Sequence, residues 1–183
     1  MELAITRRLN RNIHAGAAVA EIGVGGGVYS ELLARRGVKL YLADVSLRLL
    51  DTAVANLRQL GLSHQILGSS HESATSLASL SAESSDAVLL LGPLYHLCAA
   101  AGRSNAVAEA ARIFKPGGLL FFRGSFEQIE LFGVESFTAH WQKKLNDLPP
   151  AEQEAWLELV EHTGATPEGL GHSDHFLYIG RRV

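Results

Sequence analysis

The sequence predicts a doubly wound α/β domain built on a mostly parallel sheet. Three observations carry this. Five short apolar runs are spaced along the first two thirds of the chain, each continuous enough to be buried on both faces, as parallel strands are. Segments with helical spacing of apolar residues lie between them. Glycine is abundant, 18 of 183 residues, against a usual share of about 7%, and its densest cluster follows the first run.

The strands are expected at 17–22, 39–43, 64–67, 86–91 and 119–123. The third is the weakest, and the fourth, DAVLLL, is the clearest. A helix is expected at 28–36, stopped by Gly37. A second at 47–60 places Leu47, Leu50, Val54 and Leu57 on one face, and Gly61 follows as a cap. A third at 104–114 buries Val107, Ala110, Ala111 and Phe114 before Lys115-Pro116-Gly117-Gly118 turns the chain into the fifth strand. Strand and helix alternate throughout this half, which implies an open parallel sheet with helices on both faces and right-handed crossovers. The stretch 68–85 is rich in serine and includes loop. Beyond residue 125 the expected elements are a strand at 129–134, helices at 137–148 and 151–163 separated by Pro149-Pro150, and a last strand at 175–181.

Composition excludes several classes. Hydrophobic residues make up 47% and charged residues 19%, enough for a packed core and too apolar for a disordered chain. Lys and Arg number 16 against 19 Asp and Glu, so no strongly basic nucleic-acid footprint exists. Cys98 is the single cysteine, which rules out a disulfide framework. It is expected to be a small buried apolar residue. No apolar run reaches membrane-spanning length. Residues 1–12 carry Arg7, Arg8 and Arg11 without the apolar segment of a secretory signal. These features predict a cytoplasmic protein with no membrane or nucleic-acid partner. They leave the oligomeric state open.

The first strand runs into Glu21-Ile22-Gly23-Val24-Gly25-Gly26-Gly27-Val28-Tyr29. Glycines allow a sharp turn and close approach of a ligand to the main chain, and the following helix N-terminus offers free N–H groups. The second strand ends in Asp44, which this topology brings beside the glycine loop. A carboxylate there can accept two hydrogen bonds from a ribose diol. Acting only as a helix cap is its alternative role, although Ser46 could cap equally well. A dinucleotide loop needs G-x-G-x-x-G, and its third glycine would fall on Val28. No Tyr-x-x-x-Lys pair is present for hydride chemistry. A nucleotide-dependent oxidoreductase is therefore disfavoured.

The block AEIGVGGGVYSELLARRG followed by Asp44 resembles the first two motifs of class I S-adenosylmethionine-dependent methyltransferases. DAVLLLGPLYHL and EAARIFKPGGLLFF resemble the fourth- and fifth-strand motifs of the same superfamily, in particular its small-molecule members with a G-P-L-Y-H-L loop. The tail LGHSDHFLYIGRR resembles the end of that group. The resemblance implies a Rossmann-like fold whose last strand is antiparallel. It also implies one domain over 1–183, with a cofactor-binding half at 1–126 and a shortened half at 127–183. The activity implied is methyl transfer from S-adenosyl-L-methionine to a small molecule, at nitrogen, oxygen, sulfur or carbon. A cofactor-holding relative without activity is the alternative.

The resemblance also implies residue roles. Glu21 would sit behind the loop, near the methionine moiety or holding loop amides. Gly23, Gly25, Gly27 and Tyr29 would border the cofactor, Asp44 would hold the ribose and Val45 would pack on adenine. Many relatives place an acid after the third strand. This chain has Gly68-Ser69-Ser70-His71 there, so Ser69 or Ser70 would serve the adenine edge. Leu91, Gly92 and Leu94 would border the methionine end. Tyr95 and His96 would meet the acceptor, with His96 as base or orienter, work that suits an imidazole near neutral pH.

His172, Asp174 and His175 invite a metal reading, but they lead into the last strand, where side chains alternate between faces; no metal is expected. His14, His64, His140 and His162 are scattered and expected to be solvated, and Trp141 and Trp156 belong to apolar helical faces. Between the fifth and sixth expected strands lie about five residues. A parallel return needs about a dozen, so either 129–134 is not a parallel sixth strand or the sequence lacks the usual segment here. Only residues 1–14 precede the first strand, whereas relatives of this type carry covering helices there.

Overall fold

The computed structural model describes residues 2–121, 127–133, 147–166 and 176–181, without the side chains of residues 2–4, Tyr95, 127–133 and 176–181. The expected helix at 137–148 and the metal-like trio His172, Asp174 and His175 lie almost entirely outside the described residues. The chain forms two compact units, Ile13–Glu127 with Gly180–Val183, and Met1–Asn12 with Gln128–Ile179.

In the first unit the strands are β1 (Ala18–Ile22), β2 (Lys39–Asp44), β3 (Ile66–His71), β4 (Ser85–Leu89) and β5 (Phe114–Phe121). Their order in the sheet is β3-β2-β1-β4-β5. Each of the four pairings is parallel. The antiparallel last strand implied by the resemblance finds no support among these pairings. Helices α2 (Val28–Arg35), α3 (Leu47–Gln59) and α4 (Ala100–Ile113) connect the strands.

Alternation along the strands divides the core between two faces. Ala20, Ile22, Ala43, Val88 and Leu120 join a buried cluster with Ala106, Ala110 and Ile113 of α4. Their strand neighbours Val19, Glu21, Leu40 and Leu42 are buried too, and Glu21 meets Ser30 of α2 on the opposite face. This is the doubly wound arrangement the apolar runs imply.

The third connection departs from expectation. No helix lies between β3 and β4. Residues 72–84 cross by turns that bury Ala74, Leu77 and Leu80 in the α4-side cluster. Arg112 of α4 fastens them, donating to the carbonyls of Leu80 at 2.7 Å and Leu77 at 2.9 Å. Glu109 accepts from the Leu77 amide at 2.8 Å. Side chains of one helix thus satisfy backbone groups that a crossover helix would have satisfied itself.

Two boundaries also moved. β3 runs from Ile66 to His71, later than the expected 64–67. β5 begins at Phe114 directly after α4, so Lys115-Pro116-Gly117-Gly118 is an irregular opening of the strand rather than a separate turn. Gly117 has φ +76°, and a Cβ on Gly118 would lie 2.8 Å from the Lys115 carbonyl. Backbone conformation favours glycine at 117, and lack of space demands it at 118. Cys98, expected to be buried, is exposed. His14, His64 and His162 are exposed as expected, and Trp156 is half-buried.

The other unit holds α1 (Glu2–Asn12), α5 (Pro150–Thr163) and most of the neighbouring strands β6 (Glu127–Gly133) and β7 (Phe176–Arg181). Arg7, Arg8 and Arg11 of α1 pair with Glu161 of α5, and Arg7 also with Glu154. Five residues, 122–126, separate β5 from β6. Among the described residues no helix is long and apolar enough to cross a membrane.

Candidate cofactor and acceptor site

The parallel sheet brings the carboxyl ends of β1, β2, β3 and β4 to one edge, the place where open α/β sheets hold ligands. There the chain forms a cleft of about 440 Å³. The glycine loop is its floor. Gly23, Gly25 and Gly27 have φ of +78°, +53° and +81°, a region that side chains strain to enter. Gly23 also sits against the loop after β4: a Cβ there would fall 2.6 Å from Pro93 Cγ.

Asp44 closes the loop from the side. The residue is only 6% exposed, and its carboxylate accepts from the Gly25 amide at 3.0 Å and the Ser46 amide at 2.7 Å. The capping alternative is settled by α3, whose N-cap is Ser46, accepting from the Leu49 amide. Each carboxylate oxygen of Asp44 retains a further lone pair for a ligand hydroxyl. Glu21 lies beneath the loop and outside the cleft lining. Its Oε2 accepts from Ser30 Oγ at 2.6 Å, joining the end of β1 to the first turn of α2 under the glycines. Burial pushes its carboxyl up to about 7, opposed by the Ser30 hydrogen bond and assisted by the nearby charge of Asp44.

Some of the expected residues line this cleft and others do not. Gly23, Gly25, Asp44, Val45, Gly92 and His96 line the cleft together. Val45 is 71% exposed at its mouth. Gly27 does not line the cleft; it is the N-cap of α2, pressed against Ala53 of α3. Tyr29 and Leu91 are half-buried away from the lining, and Leu94 packs on the α4-side core. Ser69 and Ser70 stand in strand β3 rather than in the loop beyond it, and neither reaches the cleft. Tyr95 belongs to a short 3-10 turn, Pro93–Tyr95, and its side chain lies outside the description.

The acid sought after the third strand exists one residue later. Glu72 lines the cleft, followed by Ser73 and Ala74. Burial works against its ionisation, but the hydroxyl and amide of Ser79 outweigh that and hold it below the ordinary carboxylate range. Leu49 and Leu97, also absent from the sequence reading, add apolar wall. The helical period could have flagged Leu49, which precedes the buried stripe of α3 by one position. Glu72 was hidden by the early end assigned to β3.

These residues suit a nucleoside with an amino-acid tail. Glycines leave room against the main chain, a carboxylate can take a diol, and aliphatic side chains flank a flat ring. Among the described residues no group of three His, Cys, Asp or Glu is placed to hold a metal ion.

The sequence matches the family described as methyltransferase domain over residues 20–122. It is 34% identical over 168 residues to a ubiquinone biosynthesis O-methyltransferase of Methylococcus capsulatus, covering 87% of this chain and 68% of that protein. It is 31% identical over 156 residues to the protein of the same name from Xanthomonas oryzae pv. oryzae, covering 80% of this chain. The chain spans only 63% of that relative's length. Solved structures share the fold. The [4+2]-cyclase SpnF superposes with a TM-score of 0.68 at 20% identity, over 97% of this chain and 79% of that one. A putative S-adenosyl-L-methionine-dependent methyltransferase from Methanococcus maripaludis gives 0.63 at 17% identity, over 98% and 84%. Taken with the glycine loop, Asp44 and the parallel sheet that unites them, the match over more than half its length shows that the chain belongs to the methyltransferase domain family.

Proposed function

We propose that this chain binds S-adenosyl-L-methionine in the cleft and methylates an oxygen atom of a small-molecule acceptor. One observation carries the reading. The glycine loop and the Asp44 carboxylate meet in one cleft that Val45 and Leu49 also line, where a ribose, an adenine and a tail along Gly23 and Gly92 can lie together. The oxygen acceptor is inferred from the O-methyltransferase names of the relatives.

The cofactor, when bound, supplies the activated methyl group, so the protein's task is positioning and exclusion of water. Asp44 would hold the ribose hydroxyls, Val45 and Leu49 the adenine faces, and Glu72 the adenine edge. Gly92 would border the methionine end. A hydroxyl acceptor must lose its proton. His96 lines the cleft and is exposed, so it is the residue proposed to take or orient that proton, with Tyr95 beside it in sequence. The G-P-L-Y-H-L subgroup, a single domain over 1–183, an antiparallel last strand and a cytoplasmic location without nucleic-acid partners belong to the same proposal.

Calorimetry with S-adenosylhomocysteine and with NAD tests it. S-adenosylhomocysteine should bind and NAD should not; the reverse would end the proposal. Asp44→Ala should weaken S-adenosylhomocysteine by about tenfold or more, on the scale of a charge-assisted hydrogen bond. An unchanged affinity would remove Asp44 from the site. The five residues between β5 and β6 favour a second reading, a domain that holds the cofactor without turnover. Methyl transfer to phenolic acceptors separates the two: product supports the first reading, and silence from protein that binds S-adenosylhomocysteine supports the second.

A further inference from the structure

We infer that His71 is a positioning residue for the cofactor's nucleoside, acting through the main chain of Val45. Asp44 and His71 face each other in the last register pair of β2 and β3. One further backbone bond follows, from the Glu72 amide to the Asp44 carbonyl at 3.1 Å. There the chain after β2 turns away into α3, and the ladder has no strand partner for the next carbonyl, that of Val45. The His71 side chain takes it. Its Nε2 lies 2.8 Å from the Val45 oxygen. A carbonyl can only accept, so Nε2 carries the proton and donates.

β3 is an edge strand, so no strand beyond it supports this corner. The turn that His71 holds bears three things at once: the Asp44 carboxylate, the Val45 side chain at the cleft mouth, and Ser46, the cap of α3. Asp44 is restrained by the Gly25 and Ser46 amides. No side chain other than His71 is described on the Val45 carbonyl. The Ser46 N–H of the same peptide stays on Asp44, so losing the imidazole leaves the Val45–Ser46 peptide held from one side only; it can tilt about that bond, and the apolar wall of the nucleoside pocket tilts with it. His71 itself is exposed and does not line the cleft, so it acts only through Val45.

The inference rests on the cofactor reading above, and the experiment separates the two. S-adenosylhomocysteine affinity is measured by calorimetry for wild type, His71→Ala and His71→Gln, with thermal melts of all three. A glutamine amide can place a donor where Nε2 stands. The expected result is a three- to tenfold loss of affinity in His71→Ala, recovery to within about twofold in His71→Gln, and melting points that agree within a degree or two. Equal affinity in wild type and His71→Ala would overturn the role of His71 while leaving the cofactor site intact. So would a loss in His71→Ala that glutamine fails to restore, or one that tracks a fall in melting point. Wild-type protein that binds no S-adenosylhomocysteine would overturn the cofactor reading, and this one with it.

Discussion

Glu21 shows what a single buried carboxyl does to the stability of this site. It is 4% exposed, with Ser30 as its partner, and its titration moves from the ordinary 4.5 to about 7. Below pH 4.5 the group is neutral whether the chain is folded or not. Between 4.5 and about 7 the unfolded chain gives up the proton while the folded one keeps it, so stability falls as pH rises. Above about 7 both are ionised and the loss is complete, on the order of 3 kcal/mol. Glu21→Gln imitates the neutral form at every pH. In urea denaturation its stability relative to wild type should rise from pH 5 to pH 8, by up to about 3 kcal/mol. Glu72, Asp86 and Glu109 titrate below their ordinary values. They weaken the protein only as pH falls through the acid range, and both variants carry them, so they cancel. A difference that does not change with pH would mean that Glu21 keeps no proton in the fold.

At the scale of the element, the glycine loop contains positions with opposite tolerance. Gly27 starts α2 at φ +81°, and a Cβ there would stand 2.9 Å from Ala53 Cβ and 3.1 Å from its Cα. The second contact is with helix backbone, which cannot swing aside. Left-handed strain of roughly 1–2 kcal/mol adds to overpacking of about 1–3 kcal/mol, so Gly27→Ala should lose about 2–5 kcal/mol in urea denaturation. Gly26 has nothing within 4 Å and no positive φ, and Gly26→Ala should stay within about 0.5 kcal/mol of wild type. If both substitutions cost the same, α2 does not begin against α3 as described. The contrast also shows what was legible. The G-x-G-x-G spacing picks out 23, 25 and 27, which all have positive φ, yet spacing alone cannot say that Gly27 lies against Ala53 and outside the cleft lining. β1, β2 and β4 could be read because both of their faces are buried. β3 is an edge strand whose exposure alternates along Ile66–His71. Its Gly-Ser-Ser sequence reads as loop, which is why Glu72 was missed. α1 has an apolar face, with Ile5 and Leu9 buried one turn apart, but its three arginines and two asparagines make the segment polar on average, and it escaped notice.

At the scale of the whole molecule, the cleft is written locally in the sequence and an acceptor surface is not. Every residue lining the cleft, from Ile22 to Leu97, belongs to the unit Ile13–Glu127. Its chemistry is spelled by short motifs at strand ends, where one glycine or one carboxylate is decisive. Acceptor recognition has no such alphabet, because apolar walls of many sequences fit the same small molecule. A ligand that binds only the folded chain stabilises it by mass action, about 2.7 kcal/mol at a hundred times its dissociation constant. For a domain of this size that is a rise in melting temperature of roughly 5–10 °C. S-adenosylhomocysteine at that excess should produce it in scanning calorimetry. NAD should not, because Val28 stands where a dinucleotide loop needs its third glycine. Equal shifts with the two ligands would mean that the cleft recognises only the adenosine they share, and the sulfur-bearing tail would lose its place beside Gly23 and Gly92.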